Sequence, residues 1–249
     1  MMQIDGLLEL VKKRRSIRKF KPDPIPDGSV EKILEVARWA MSGANGQPWE
    51  FIVIKDPITK QKMAEQFFEI SQRIHNIEKI RPEEARHPMF TAPPKGMPSF
   101  QEAPVIIAFL GDRRTLQATV LASKYQLPGE GGGGGDATYL KNMANAVMLT
   151  HLAVVALGLG SQWLSVPGLW EPDLKSLLGV PKDLVIHTVV PIGYPAYQPP
   201  AGYRRELKEI VHNEKYDPSK YRTDDDIYSF IIELRQRTKA NYGLAFKGS

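Results

Sequence analysis

At 249 residues, with 42% of them hydrophobic, the chain is long enough to bury a substantial core as one domain with appendages. It has no cysteine, which excludes disulfides, a thiolate nucleophile and cysteine-ligated metal sites. The net charge of +5 permits attraction to anions, but no Lys/Arg run is long or interleaved with aromatic residues, so nucleic-acid binding is not expected. The N-terminus lacks the features of a signal peptide, and the longest apolar stretch, 144–159, is too polar to span a membrane. We therefore expect a cytoplasmic protein.

The first half of the chain alternates between helix-like and strand-like patterns. In chain order, it predicts a helix over 4–14, a loop over 21–27, a helix from an N-cap at Ser29 to Trp39, a strand over 50–55, a helix over 58–80, an irregular proline-rich insert over 81–103, a strand over 104–110 and a helix over 117–125.

The second half contains the most apolar helix pattern of the chain. Here the sequence predicts a flexible glycine-rich loop over 129–136, a helix over 138–157 ended by Gly158, an extended segment over 161–165, a helix over 170–178, a strand over 184–193, a short strand over 209–212 and a final helix that begins at Asp224–Asp226. Several helices around a few non-alternating strands predict an α+β fold in a single domain, 1–249.

A basic segment, Arg14–Phe20, follows the first predicted helix. It offers three guanidiniums, a hydroxyl and an ammonium within seven residues, which is chemistry suited to a phosphate. The alternative is a solvated helix end whose cations favour the C-terminal dipole.

A small polar loop, Met41–Trp49, leads into the first predicted strand. Small residues and amide side chains allow close approach to a flat polar ring and hydrogen bonds to its edge. Asn45 could instead simply hold a left-handed turn, and Trp49 and Trp163 could be core residues.

Two further patterns predict no site. The glycine run ends without the Gly-Lys-Ser/Thr of a phosphate-binding loop. The five histidines show no metal-ligand spacing, so no metal site is expected, and His151 is interpreted as a satisfied core histidine.

Together, the basic segment and the polar loop resemble the FMN-binding signature of the nitroreductase family of flavoproteins. The likeness continues in order through Leu157–Ser161, Pro191–Pro195 and Arg204-Arg205. It implies a nitroreductase-like α+β fold, with a central mixed or antiparallel sheet flanked by helices.

The resemblance also implies a homodimer that binds two FMN molecules at its interface, with the C-terminal extension 213–249 reaching onto the partner. The residues that it implies at the ribityl phosphate are Arg14, Ser16 and Arg18, with Arg15 contributing through its backbone or its side chain and Arg204 and Arg205 completing the cluster. It implies that the loop residues reaching the flavin of the partner are Met41, Ser42, Gly43, Asn45 and Gln47. The backbone expected along the isoalloxazine is that of Trp163, Leu164 and Ser165. Gly202 departs from the pattern, because many relatives have a lysine there.

The implied function is an FMN-dependent NAD(P)H oxidoreductase that reduces a nitroaromatic, quinone or enone by a ping-pong mechanism, with no catalytic side chain named. Two alternatives keep the cofactor, namely reductive dehalogenation of a halophenol and oxidative cleavage of flavin. In these, the insert 81–103 would be a lid that closes over an aromatic anion through Phe90, Phe100, Arg81, Arg86 and Lys95. A non-catalytic flavin-binding sensor is a third alternative, and a basic nucleic-acid adaptor ranks last.

Overall fold

The computed structural model describes residues 3–82, 93–115 and 135–245. Its helices are α1 (Ile4–Lys13), α2 (Ser29–Arg38), α3 (Pro57–Ile80), α4 (Gly135–Ala156), α5 (Glu171–Leu178), α6 (Leu207–Ile210) and α7 (Asp224–Ala245). Its strands are β1 (Trp49–Ile54), β2 (Val105–Asp112), β3 (Gly160–Ser161), β4 (Leu164–Ser165) and β5 (Leu184–Gly193).

The strands form an antiparallel sheet in the order β1-β2-β5-β3, and β4 also pairs with β5. The central strand β2 is buried along nearly its whole length because helices cover both faces of the sheet. Its alternate side chains therefore enter two different cores. Val105, Ile107 and Phe109 face the core that includes residues of α2 and α4, whereas Ile106, Ala108 and Leu110 face the core that includes residues of α3 and α5. The predicted α+β fold with a helix-flanked sheet is confirmed.

Local signals explain most of the element ends. Asp56 caps α3 by accepting from the backbone N–H of Thr59 at 2.8 Å, with Pro57 at the first helical position. The glycine predicted to end α4, Gly158, has a φ of +73°.

Two local predictions are wrong. The N-cap of α2 is Gly28 rather than Ser29, which is the first helical residue. The predicted strand over 209–212 is instead a helical turn, α6, in which Glu206 and Glu209 form a reciprocal capping box. A capping box needs no neighbouring strand, so it can fix this short helix locally.

The proline-rich insert is described at its two ends. Phe100 lies in a 3₁₀ turn, Ser99–Glu102, and its buried ring contacts Phe67 at 5.7 Å in the core beneath α3. The expectation that Phe100 belongs to a lid is therefore wrong, because its ring is already packed in the core. Phe90 and Arg86, the helix over 117–125 and positions 129–134 of the glycine-rich loop lie outside the described residues. Gly135 and Asp136, predicted as the end of that loop, begin α4.

The chain divides into two compact units, Met1–Ala196 and Tyr197–Ser249. The first contains the sheet and both cores, and the second contains α6 and α7. Of the helices that the structure describes, none is both long and apolar enough to cross a membrane.

Candidate functional site

The basic segment is fastened to the edge of the sheet by its backbone. The N–H of Ile17 donates to the carbonyl of Ser161 at 3.0 Å, beside a parallel bridge between Ser16 and Ser161. The N–H of Lys21 donates to the carbonyl of Tyr194 at 2.9 Å. The side chains of Ile17 and Phe20 are only 2% and 3% exposed, so the segment is anchored from both ends.

Because the backbone is fixed at both ends, the polar side chains of the basic segment are held in place. Arg14 and Ser16 are half-buried and Arg18 is exposed. Arg15 turns back instead, and its Nη1 donates to the carbonyls of Lys12 and Arg14, so it caps the end of α1. Four of the predicted phosphate ligands, Arg14, Arg15, Ser16 and Arg18, therefore lie on one short segment, and Arg15 already donates to backbone carbonyls.

Next to this segment lies a buried histidine, His151 of α4. Its Nδ1 lies 2.7 Å from Oγ of Ser161, and its ring stacks on Trp163 with centroids 6.1 Å apart. Burial, with a smaller contribution from the Arg14 guanidinium, lowers the pKa of His151 to about 4, so the ring is neutral at pH 7. Its Nε2 is buried without a hydrogen-bond partner among the described residues. The predicted satisfied core histidine is therefore buried but only partly satisfied.

The predicted segment Trp163–Ser165 continues along the same edge. The Trp163 side chain is 44% exposed, so it is a surface ring rather than core packing. The carbonyl of Leu164 accepts from Oγ1 of Thr188 at 2.8 Å, and Ser165 is exposed beside it on β4. The backbone of this segment is thus fixed against β5, while the side chains of Trp163 and Ser165 are exposed to solvent.

The polar loop is held on α4 by two asparagines. Oδ1 of Asn142 accepts from the N–H of Gly43 at 3.1 Å, and Nδ2 of Asn145 donates to the carbonyl of Met41 at 3.0 Å. Nδ2 of Asn142 is buried without a partner among the residues described. These two amides fix the start of the loop.

Within the loop, the backbone adopts an uncommon conformation. Ala44, Asn45 and Gln47 have φ of +51°, +54° and +43°. The N–H of Gln47 donates to Oγ of Ser42 at 3.1 Å, and its side-chain amide donates to the carbonyl of Asn45 at 3.2 Å. Strained backbone of this kind is concentrated at functional sites. Asn45 itself adopts the left-handed conformation, as the alternative interpretation predicted.

Within one chain, these residues form two groups. The first contains Arg14, Ser16 and Arg18 of the basic segment and the segment Trp163–Ser165 around His151, and the second contains the loop on Asn142 and Asn145. His151 lies six positions beyond Asn145, or about 9 Å along the helix axis. We call them the sheet-edge group and the helix-docked loop.

The last two predicted site residues belong to the second unit. Nη2 of Arg205 donates to the carbonyl of Glu209 at 2.9 Å, and exposed Arg204 donates to the carbonyl of Tyr203 at 2.7 Å. A Cβ on Gly202 would lie 3.2 Å from Nη1 of Arg204, so this position is close to the exposed guanidinium. Their role at a phosphate stays a prediction.

Sequence reasoning named neither Asn142 nor Asn145 and interpreted His151 only as a core residue. Their signal is polarity within the most apolar helix of the chain. A polar side chain in such a helix needs a partner. For Asn142 and Asn145 the partner lies 99 and 104 positions away, and for His151 it lies ten positions away. In the described part of the chain, no group of three or more acidic or histidine side chains could hold a metal ion.

The Nitroreductase family model matches residues 11–194. The NADH dehydrogenase of Thermus thermophilus is 28% identical over 220 residues, which cover 80% of this chain and 91% of that protein. The structure of oxidized iodotyrosine deiodinase bound to FMN and 3-iodo-L-tyrosine is 24% identical, with a TM-score of 0.62 over 84% of this chain and 100% of that chain. The NADPH:FMN oxidoreductase of Vibrio harveyi complexed with NAD+ is 19% identical, with a TM-score of 0.64 over 95% of this chain and 86% of that chain. The two structures share the fold of this chain.

Proposed function

Because the chain belongs to the nitroreductase family, we propose that it is an FMN-dependent oxidoreductase that transfers hydride from NAD(P)H to an electron-poor acceptor such as a nitroaromatic, a quinone or an enone. The observation that carries this proposal is the sheet-edge group. Its backbone pairing with Ser161 holds two arginines and a serine beside a half-exposed tryptophan.

The residues of this group fit FMN. A phosphate requires fixed cations and hydroxyl donors, which Arg14, Arg18 and Ser16 provide. A flavin ring requires an open surface bordered by fixed backbone, which the segment Trp163–Ser165 provides.

In this proposal the chain's own residues bind and orient. Arg14 and Arg18 neutralise the phosphate, Ser16 donates a hydrogen bond to it, and the backbone of Leu164 and Ser165 borders the ring. Bound FMN would supply the hydride-transfer chemistry, so no side chain needs to act as acid or base. The helix-docked loop would reach the site of a second copy, as the resemblance implies.

A homodimer is part of the proposal, and exposed apolar side chains support it. No residue of α1 is buried, although one of its faces is apolar, and Leu140 and Met148 of α4 are half exposed. Trp39 and Met41 beside the loop are 73% and 78% exposed. Apolar surface of this extent is typical of a protein interface. Light scattering of the purified protein should give a molar mass twice that of one chain. The double variant Leu140→Asp with Met148→Asp should have the mass of a single chain.

The visible absorption spectrum of the purified protein tests the function directly. We expect a yellow protein whose flavin band bleaches on anaerobic addition of NADPH or NADH and returns on addition of an acceptor. The acceptor series should include a nitroaromatic, a quinone, an enone and a halophenol, since dehalogenation is the alternative outcome. A colourless protein that takes up no added FMN would overturn the proposal. A flavin that is reduced only slowly, and reoxidised slowly by every acceptor, would instead favour the sensor.

A further inference from the structure

His151 connects the central helix to the edge of the sheet. Its Nδ1 is 2.7 Å from Oγ of Ser161, and both side chains are buried, at 5% and 1% exposed. Ser161 is the residue of β3 whose carbonyl accepts from the N–H of Ile17 and whose backbone pairs with Ser16. A single side-chain hydrogen bond therefore links α4 to the strand on which the basic segment lies.

The same ring also supports the neighbouring part of the site. It stacks on Trp163 with an interplanar angle of 27°, and the Arg14 guanidinium is close enough to disfavour its protonation. His151 is thus adjacent to three parts of the sheet-edge group: the strand residue Ser161, the ring of Trp163 and the cation Arg14.

Packing alone does not account for this histidine. Its neighbours in the helix, Val147 and Val154, fill the core with apolar side chains, whereas His151 leaves Nε2 buried and unpartnered among the described residues. An aliphatic residue would fill the space without that cost. The imidazole has a use that an aliphatic side chain could not supply, and its bonded atom identifies Ser161 as the partner.

We propose that His151 is a positioning residue for the phosphate-binding segment. By its hydrogen bond to Ser161, it fixes the strand that determines the position and orientation of the Arg14 and Ser16 side chains. The inference rests on the proposed function, since it concerns the same FMN site. Binding groups must be held within about 0.5 Å of their productive positions by the hydrogen bonds behind them. Loss of the His151–Ser161 bond should therefore affect recognition of the phosphate more than recognition of the flavin ring.

Comparing FMN with riboflavin tests this, because riboflavin is the same ring and ribityl chain without the phosphate. Dissociation constants of both should be measured by flavin fluorescence on the apo form of the full chain. His151→Phe keeps an aromatic ring but loses the hydrogen bond. We expect it to weaken FMN about tenfold and riboflavin less than about twofold. His151→Asn, whose amide can replace Nδ1 as the partner of Ser161, should recover part of the FMN affinity.

Thr150→Val is the matched control. Thr150 is buried on the same helix, but its hydroxyl donates to the carbonyl of Ala146 within that helix, so both affinities should stay unchanged. Equal weakening of FMN and riboflavin by His151→Phe, or no change in either, would overturn the inference. A wild-type protein that binds neither flavin would refute the proposed function instead, so the two failures are distinguishable.

Discussion

The sheet-edge group and the helix-docked loop are built in opposite ways. The basic segment is fixed by backbone hydrogen bonds to β3 and to Tyr194, with Ile17 and Phe20 buried beneath it. The loop is fixed by the side-chain amides of Asn142 and Asn145, and several of its residues have positive φ.

The difference affects how each region tolerates substitution. Where backbone hydrogen bonds fix a segment, a side chain that takes no part in them can be replaced, and the replacement weakens only ligand binding. Where the backbone is strained and held by side chains, the conformation itself depends on particular residues. Replacing a side chain that the basic segment presents, such as Arg14, should therefore lower affinity with little change in stability, whereas a substitution in the loop should change stability.

The largest expected effect is the dependence of stability on pH through His151. Its pKa is lowered to about 4 from 6.5, so between these values the unfolded state binds a proton that the native state does not. Stability should therefore fall as the pH decreases through this window, by about 3 kcal/mol from this group. The free energy of unfolding of wild type and His151→Phe should be measured by urea denaturation from pH 7 to pH 4.

We expect the wild-type loss to exceed that of the variant by this amount. Other groups, such as Asp112 and His187, have lowered pKa values in both proteins, and they cancel in the difference. Parallel curves would show that His151 is protonated normally and hence that it is not buried as the structure places it.

Gly160→Ala should break the docking of the basic segment. A Cβ there would lie 2.5 Å from Cγ1 of Ile17 and 2.9 Å from Cγ of Pro195, so the segment must move away from β3. Overpacking of this kind costs about 2 kcal/mol. FMN affinity should fall with it, because the cations move too.

Gly168→Ala serves as its control, because a Cβ there would have no atom of the described residues within 4 Å. Its stability should change by less than about 0.5 kcal/mol. Should Gly160→Ala be equally mild, the close contact of Ile17 with β3 would not exist in solution.

Arg14→Ala should separate binding from folding. Loss of one charge-assisted contact should raise the FMN dissociation constant about tenfold, whereas the melting temperature of the apo protein should change little, since the backbone anchors remain. Titration of FMN into apo protein and differential scanning calorimetry give the two quantities. Arg204→Ala, measured in the same way, tests the contribution predicted for the second unit. Unchanged FMN affinity in both variants would exclude these arginines from the phosphate site.

How far the sequence predicts this structure differs between the two regions. The basic segment, β2 and β5 follow from local patterns, because charge clusters and apolar runs are visible in sequence. The family resemblance, confirmed by the match to residues 11–194, supplies the order of the elements. Local reasoning fails at α6, where the run Glu209–His212 suggests a strand but the capping box of Glu206 and Glu209 favours a turn of helix.

The supports of the site could not be predicted because they are tertiary. Asn142 meets Gly43 from 99 positions away, and His151 meets Ser161 only because the chain reverses at Gly158. Phe100 is a similar case, since its aromatic partners come from two distant parts of the chain. Phe67 lies on α3, and Trp170 immediately precedes α5. In each case the sequence shows the side chain, and only the fold supplies its partner.

The smallest expected effect tests the strain in the loop. Ala44 has a φ of +51°, which costs an L-residue about 1–2 kcal/mol. Glycine removes this cost but loses about 0.4–1 kcal/mol through the greater freedom of the unfolded chain. Ala44→Gly should therefore stabilise the apo protein by about 0.5 kcal/mol, or roughly 1–2 °C in melting temperature.

Asn45→Gly provides the comparison within the same loop. Its φ of +54° is nearly the same, but asparagine tolerates the left-handed conformation far better than alanine, so glycine relieves little strain there. We expect Asn45→Gly to leave the melting temperature unchanged or to lower it. Destabilisation by Ala44→Gly would mean that position 44 is not left-handed in solution. The loop would then be unstrained, and its conformation would not depend on the side chains of Asn142 and Asn145 as the contrast between the two regions requires.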